Sequence, residues 1–283
     1  MIAILGGFAA AGCFAASTLC SSRSSRMIDP GSVLAWVMLV GLLATVPVVA
    51  IARPPSDLGS TDLGWLAVVG LTNSIGLLLA YRALRIGKVG LVAPVVSTEG
   101  AIAALLAVTA GEGIAPGAGA LLALIATGVC LAALTPDREE VDAGRAGAPA
   151  MGNAIAAACS FGVTLYATAR AGSTVPVAWV LVPARLIGVV VFALPLAAVG
   201  RLRLTRPALP LVVGAGMTEV LGVAAYTLGS RHDIAVASVL ASQFATISVV
   251  VGYVLFRERL AAVQVLGVAA TVIGVGALSA VQT

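Results

Sequence analysis

The sequence predicts an all-α integral membrane protein with ten transmembrane helices, arranged as two inverted five-helix repeats. Three observations predict this fold class: the apolar composition, ten apolar stretches of membrane-spanning length, and the similarity of the two halves of the chain. Of the 283 residues, 60% are hydrophobic and 10% are charged. Soluble domains carry about 25% charged residues, so the composition excludes an ordinary soluble protein.

The predicted helices are apolar stretches separated by short breaks that are polar or rich in Gly and Pro. Crossing the hydrocarbon core takes about 20 apolar residues, and breaks of this kind end helices. In chain order the predicted spans are residues 2–20, 33–52, 63–82, 89–110, 116–135, 151–169, 176–199, 208–228, 234–256 and 261–281. The first span has no basic segment before it, which predicts a retained helix and not a cleaved signal peptide.

Little sequence remains for a soluble domain or a cofactor site. The longest connection, residues 135–149, is too short for a catalytic or nucleotide-binding domain, which excludes intrinsic ATP drive. The cysteines lack the spacing of metal ligands and are expected to pack within helices. They are Cys13, Cys20, Cys130 and Cys159. No metal ion and no cofactor are therefore expected.

The sixteen Lys and Arg residues are distributed unevenly between the two sides of the membrane. Arg53, Arg170 and Arg231 follow even-numbered spans and Arg185 lies inside a span, which leaves twelve of the sixteen after odd-numbered spans. Basic connections stay in the cytoplasm, so both termini are expected outside it. The net charge of +4 is attributed to this topology signal, and no nucleic-acid partner is expected.

The two halves of the chain align with each other. Residues 81–134, which begin YRALRIGKVGLVAPVVSTEG, match residues 226–278, which begin YTLGSRHDIAVASVLASQFA, with one gap. Further upstream, AAAGCFAASTLCSSR at 9–23 resembles AAACSFGVTLYATAR at 156–170. The alignment pairs Tyr81 with Tyr226, Glu112 with Glu258, and Gly128 with Gly274.

This alignment divides the chain into residues 1–134 as a first five-helix repeat, residues 135–149 as a linker, and residues 150–283 as a second repeat. Because five is an odd number, the second repeat must enter the membrane in the opposite orientation. Inverted repeats of this kind place their binding site near the bilayer midplane, where the repeats meet.

Short motifs at the helix ends extend the pattern. The segment YRALRIGKVG follows the third span, and the turns GEGI at 111–114 and RERL at 257–260 each precede a glycine-spaced last span. With the five-plus-five plan, these motifs resemble the EamA-type transporters of the drug/metabolite transporter superfamily. The resemblance implies a ten-helix basket around a central cavity, alternating access, and export of amino acids or other small metabolites.

One departure from the family pattern concerns an arginine. Many members carry an arginine in the second helix of each half. Here Arg185 supplies it in the second half, whereas Gly41 and Leu42 stand opposite in the first half. The sequence therefore departs from a symmetric site with two arginines.

Five polar side chains lie near the middle of their predicted spans, within about three residues or 4 to 5 Å of helix rise. They are Asn73, Glu99, Arg185, Glu219 and Gln243. A carboxylate at the bilayer centre costs about 2.5 to 3.5 kcal/mol on insertion scales, so its retention indicates a function. In the alignment Asn73 falls near Glu219, and Glu99 near Gln243. Two repeat-related pairs thus converge on the midplane.

These residues have alternative roles. Arg185 either neutralises Glu99 or Glu219 as a structural pair or holds a substrate carboxylate, and at least one acid stays unpaired in either case. Because burial disfavours the charged form, the unpaired acid is expected to exchange protons with a wet cavity. Asn73 and Gln243 are expected to form interhelical hydrogen bonds, the alternative being contact with a substrate.

Aromatic residues are the candidate walls of the site. Tyr166 is one candidate, together with Tyr226, Trp36 and Trp179. The alternative is that these side chains anchor the helices at the membrane interface.

The sequence therefore predicts a secondary active transporter: a proton-coupled exporter of amino acids or similar small metabolites. Glu99 and Glu219 would bind a substrate amine or the driving proton. One alternative is a flippase or transporter of a lipid or lipid-linked sugar. Another is acid–base catalysis by the two carboxylates, which the single histidine, His232, does not support because it lies in a predicted loop. The expected partners are a small-molecule substrate and membrane lipid, and the expected location is the inner or plasma membrane.

Overall fold

The fold is that of a computed structural model. It describes residues 1–52, 55, 58–87, 89–111, 118–133 and 144–248, with isolated positions at 251, 263, 266–267, 269–270 and 273. The regular secondary structure of these residues is helical throughout.

Eleven helices lie in the described part of the chain. They are α1 (Ile2–Met27), α2 (Pro30–Ile51), α3 (Ser60–Ile86), α4 (Val89–Val96), α5 (Glu99–Thr109), α6 (Ala118–Ala133), α7 (Gly144–Thr174), α8 (Val177–Gly188), α9 (Leu194–Ala198), α10 (Leu209–Ser230) and α11 (Ile234–Ala241). A π-helical turn, Val189–Ala193, joins α8 to α9, and residues 244–248 are again helical after α11.

Six described helical segments are long and apolar enough to cross a membrane. They are Ile2–Met27, Pro30–Ile51, Ser60–Ile86, Pro149–Thr174, Val177–Ala198 and Leu209–Ser230. They match the first, second, third, sixth, seventh and eighth predicted spans, which are confirmed as helices of membrane-spanning length. The fifth predicted span corresponds to the shorter helix α6. Most of the tenth, with Glu258 and most of the predicted linker, lies outside the described residues, as does Glu112.

The fourth and ninth predicted spans differ from the continuous helices expected. A turn at residues 97–98 separates α4 from α5, and a turn at residues 242–243 follows α11. At each turn a backbone N–H group donates to the carbonyl oxygen three residues earlier in the chain. Thr98 N donates to Val95 O at 3.2 Å, and Gln243 N donates to Leu240 O at 3.1 Å. Hydroxyl groups beside the turns also bond the backbone, and such local bonds compete with the helix. The fourth and ninth predicted spans are thus each interrupted by a turn.

Close helix packing joins the parts that the sequence assigns to different repeats. α1 packs along α10, α3 along α7, and α5 against α11. A Cβ added at Gly6 of α1 would lie 2.7 Å from the Ala225 carbonyl oxygen and 2.7 Å from the Gly229 Cα of α10. Glycine at this crossing therefore lets the two backbones approach closely, as small residues do between membrane helices.

Charged side chains fix several helix ends outside the apolar core. The Asp29 carboxylate accepts a hydrogen bond from Gly31 N at 2.9 Å at the start of α2. At the end of α7, the Arg231 guanidinium donates to the carbonyls of Gly172 at 2.6 Å and Val175 at 3.0 Å. Because the last carbonyls of a helix lack intrahelical partners, Arg231 acts as a cap for the end of α7.

Candidate functional site

A cavity of about 90 Å³ lies among α1, α3, α4, α5, α7, α10 and the segment 244–248. One water molecule needs about 10 to 15 Å³ of such cavity volume, so the cavity has room for several waters or for part of a small substrate. Asn73, Glu99 and Glu219 are among its polar lining residues. Three of the five predicted midplane residues therefore meet at one cavity.

Arg185 and Glu219 form a buried ion pair at the edge of this cavity. Arg185 Nη1 lies 2.8 Å from Glu219 Oε1, and the two side chains are only 1% and 5% exposed. The Asn73 amide donates a hydrogen bond to the same carboxylate oxygen at 3.4 Å. The positive charge of Arg185 is thus matched by Glu219.

The arginine reaches this position across a glycine of α2. A Cβ added at Gly41 would lie 2.8 Å from Arg185 Cδ and 3.0 Å from its Nε. Gly41 is one of the two residues that stand opposite Arg185 in the repeat alignment, so its missing side chain leaves the space that the single arginine fills. Arg185 itself does not line the cavity. It lies behind Glu219.

Glu99 lies in a different environment from Glu219. It is the first residue of α5 and follows directly on the break after α4. Its side chain is buried, with 5% of the residue exposed, and within the described part of the chain no basic side chain forms an ion pair with it. The positive end of the α5 dipole favours a negative charge there. The two acids, equivalent in the sequence, therefore differ in the structure: Glu219 has a basic partner, and Glu99 has none among the described residues.

The two broken helices meet beside Glu99. A Cβ added at the neighbouring Gly100 would lie 2.6 Å from the Ser238 carbonyl oxygen and 2.6 Å from Ser242 Oγ of the α11 region. Tyr226, which lines the cavity, donates or accepts a hydrogen bond with Ser238 Oγ at 2.9 Å. The unpaired acid thus sits where both helix breaks cross.

Three buried polar atoms of the site have no hydrogen bond among the described residues: the Tyr81 hydroxyl, Arg185 Nε and Glu219 Oε2. A buried acceptor left without a partner costs about 1 to 3 kcal/mol, and more when it is charged. Glu219 itself borders the cavity, so its Oε2 atom lies close to it.

Gln243 and Tyr166 do not line this cavity in the described structure. The Gln243 amide donates to Val239 O at 3.0 Å within its own helical segment. The Tyr166 ring packs edge-on against Trp65, with ring centroids 5.8 Å apart. Tyr166 therefore contributes to helix packing, and Gln243 marks the second helix break.

Sequence reasoning missed Phe14 and Phe161, which line the cavity on α1 and α7. The alignment of residues 9–23 with 156–170 already carried the signal, because it places Phe14 opposite Phe161. Tyr81 and Tyr226, also paired by the alignment, line the cavity too. The lining thus includes two pairs of residues that the alignment of the two halves matches.

Comparison with known proteins identifies one family. The model of the EamA-like transporter family matches residues 1–134. This match confirms the resemblance read from the sequence motifs, and it indicates a multi-pass membrane transporter of the drug/metabolite superfamily.

A solved crystal structure of another protein has the same fold. The TM-score is 0.75 at 18% sequence identity, over 98% of this chain and 96% of the other. No curated protein matches the chain.

Proposed function

We propose that this chain, whose residues 1–134 match the model of the EamA-like transporter family, is a proton-coupled secondary transporter that exports amino acids or similar small metabolites across the inner or plasma membrane. The observation that carries the proposal is the unequal placement of the two buried acids. Glu219 is neutralised by Arg185 at 2.8 Å, whereas Glu99 lines the same cavity without a basic partner among the described residues.

In the proposed architecture, ten transmembrane helices form two inverted five-helix repeats around this cavity. Two observations support it. The breaks after Val96 and Ala241 lie at aligned positions of the two halves, and the cavity lining contains the aligned pairs Phe14 with Phe161 and Tyr81 with Tyr226. Broken helices around a midplane site are a feature of inverted-repeat transporters.

Among the described residues that line the cavity or pair with its lining, only Glu99 then decides the net charge of the cavity. Arg185 and Glu219 cancel, so the site is neutral when Glu99 is protonated and carries one negative charge when it is ionised. An isolated carboxylate is costly to hold in a low-dielectric interior, so Glu99 needs either a proton or a cationic group when the cavity is closed to water. A proton and a substrate amine therefore compete for one carboxylate.

This competition couples the export of the substrate to the entry of the proton. A transporter that changes conformation only with Glu99 occupied carries an amine outward and a proton inward, and it does not return with an ionised, empty site. The arginine is already paired behind Glu219, so the carboxylate of an amino acid would be held by water or by the Asn73 amide. The substrate is accordingly recognised mainly through its amino group.

The walls of the cavity match the rest of such a substrate. Phe14, Phe161 and Phe244 line it together with Tyr81 and Tyr226. Aromatic faces attract cations within about 6 Å of the ring centroid, and they also bury apolar groups. A small amine with an apolar side chain fits this lining.

Transport by proteoliposomes tests the proposal. Vesicles holding the purified protein and an inward-directed proton gradient should release trapped radiolabelled amino acids or amines, and release should stop when a protonophore removes the gradient. Release that ignores the gradient would overturn proton coupling. Movement of a labelled lipid or lipid-linked sugar, with no release of small solutes, would establish the flippase alternative instead.

A further inference from the structure

A second hollow, of about 690 Å³, lies on the outer side of the helix bundle. It is bordered by the start of α2, the end of α3, the first part of α7, and the segment from the π-helical turn to Arg201. In the topology predicted from the basic residues, all of these segments lie at the cytoplasmic face. The hollow is therefore placed where the cytoplasmic leaflet meets the protein.

The rim of this hollow is basic. Arg82, Arg85 and Arg201 line it together with one acid, Asp29. Arg85 is engaged with Asp29, with Nη1 3.3 Å from Oδ1 in an exposed ion pair. Neither Arg82 nor Arg201 forms an ion pair within the described part of the chain. Two exposed guanidinium groups thus remain available to an anion.

The floor of the hollow is apolar and also exposed. Phe192, Leu196 and Val199 line it, and Val191 and Val199 are 51% and 65% exposed. Side chains of this kind on a membrane-spanning helix face lipid tails. A soluble anion would match the arginines but leave this floor uncovered, whereas an amphiphile matches both parts.

The hollow is separate from the central cavity although both use α3. Leu77, Tyr81 and Leu84 line the cavity, whereas the next residue in each case, Leu78, Arg82 and Arg85, lines the hollow. Neighbouring residues of a helix point about 100° apart. An occupant of the hollow would therefore contact α3 without entering the cavity.

The helix geometry of the floor is unusual. The π-helical turn Val189–Ala193 supplies Val191 and Phe192 to the hollow. Such turns are rare and often occur at functional sites. The floor is thus formed by the part of the α8–α9 segment that departs from regular helix.

We propose that this hollow binds one anionic phospholipid of the cytoplasmic leaflet, with its phosphodiester between Arg82 and Arg201 and an acyl chain along Phe192 and Leu196. Basic pockets between helices on the cytoplasmic side are suited to such headgroups. Charge complementarity selects an anionic lipid over a zwitterionic one, and the apolar floor selects a lipid over free phosphate.

Thermal unfolding of the purified full-length protein in detergent tests the proposal. Phosphatidylglycerol should raise the unfolding temperature in a saturable way, whereas phosphatidylcholine, inorganic phosphate and soluble glycerophosphate should not. The double variant Arg82→Gln with Arg201→Gln should unfold like wild type without added lipid, because both side chains are exposed. It should bind phosphatidylglycerol about tenfold or more weakly, since it loses two hydrogen bonds to a charged group.

Arg23→Gln is the matched control, because Arg23 is another exposed basic residue of the same predicted face and does not line the hollow. It should keep the response to phosphatidylglycerol. An equal response to phosphatidylcholine, an equal response to inorganic phosphate or glycerophosphate, or an undiminished response in the double variant would each overturn the proposal. An equal loss in Arg23→Gln would also overturn it, because the effect would then be one of general surface charge.

Discussion

Arg185 and Glu219 form a buried ion pair, 2.8 Å from Nη1 to Oε1, between α8 and α10. This pair decides which of the two intramembrane acids is held by a fixed charge. Because Glu219 is the paired acid, replacing it and replacing Glu99 should have different consequences.

Glu219→Gln should reduce the stability of the folded protein. The change leaves the Arg185 charge buried without its partner, at a cost of about 3 to 5 kcal/mol, so both the yield and the unfolding temperature should fall. Thermal unfolding in detergent measures this. Adding Arg185→Met should restore much of the lost stability, because the buried positive charge is then removed as well. A Glu219→Gln protein that unfolds like wild type would show that the pair does not carry the stability assigned to it.

The contact between the two broken helices predicts a second effect. Gly100→Ala places a Cβ 2.6 Å from Ser238 O and Ser242 Oγ, so the helices must move apart. We expect a loss of about 1 to 3 kcal/mol, as for other overpacked sites, together with reduced transport.

Gly12→Ala is the matched control for this substitution. Gly12 also lies in a helix, but a Cβ there would meet no atom within 4 Å. The change should leave the unfolding temperature equal to or slightly above that of wild type, since alanine is favoured over glycine in helices by about 0.5 to 1 kcal/mol. Equal behaviour of the two variants would contradict a close contact at Gly100.

The long spans could be predicted from sequence because hydropathy over a membrane width is a strong signal. The ends of the helices are harder to predict from the sequence. The first span was predicted to end at residue 20, but α1 continues through the serine-rich segment to Met27, since apolar length marks the hydrocarbon and not the end of the helix. The breaks at residues 97–98 and 242–243 cannot be predicted from the sequence, because single polar residues inside an apolar stretch also occur in continuous helices.

The depth of the site residues could be predicted, but their pairing could not. Position along a helix follows from residue count, which placed Asn73, Glu99 and Glu219 at one level. Which acid faces Arg185 depends on the rotation of α5 and α10 about their axes and on the space left at Gly41. Neither quantity can be read from hydropathy, so the sequence alone does not distinguish Glu99 from Glu219.

The repeat predicts a specific geometry for the whole chain. In an experimental structure, helices of residues 1–134 should superpose on those of residues 150–283 after a rotation of about 180° around an axis in the membrane plane. Tyr81 should then fall near Tyr226. A parallel relation between the halves, with an axis along the membrane normal, would contradict the inverted repeat.

The distribution of basic residues predicts the topology. A reporter that is active only in the cytoplasm, fused after Thr283, should remain silent, because both termini are expected outside. The same reporter inserted in the linker at residues 135–149 should be active and serves as the control. A bright signal from the C-terminal fusion would mean that the charge bias does not set the orientation.

The most direct test of the account is transport by Glu99→Gln in proteoliposomes, with Glu139→Gln in the predicted linker as a matched change. Glutamine mimics the protonated carboxyl but cannot release a proton. Transport driven by a pH gradient should therefore collapse, whereas the exchange of labelled for unlabelled substrate should survive, and Glu139→Gln should retain both. Full gradient-driven transport by Glu99→Gln would contradict the assignment of Glu99 as the coupling acid and leave it as a buried structural residue.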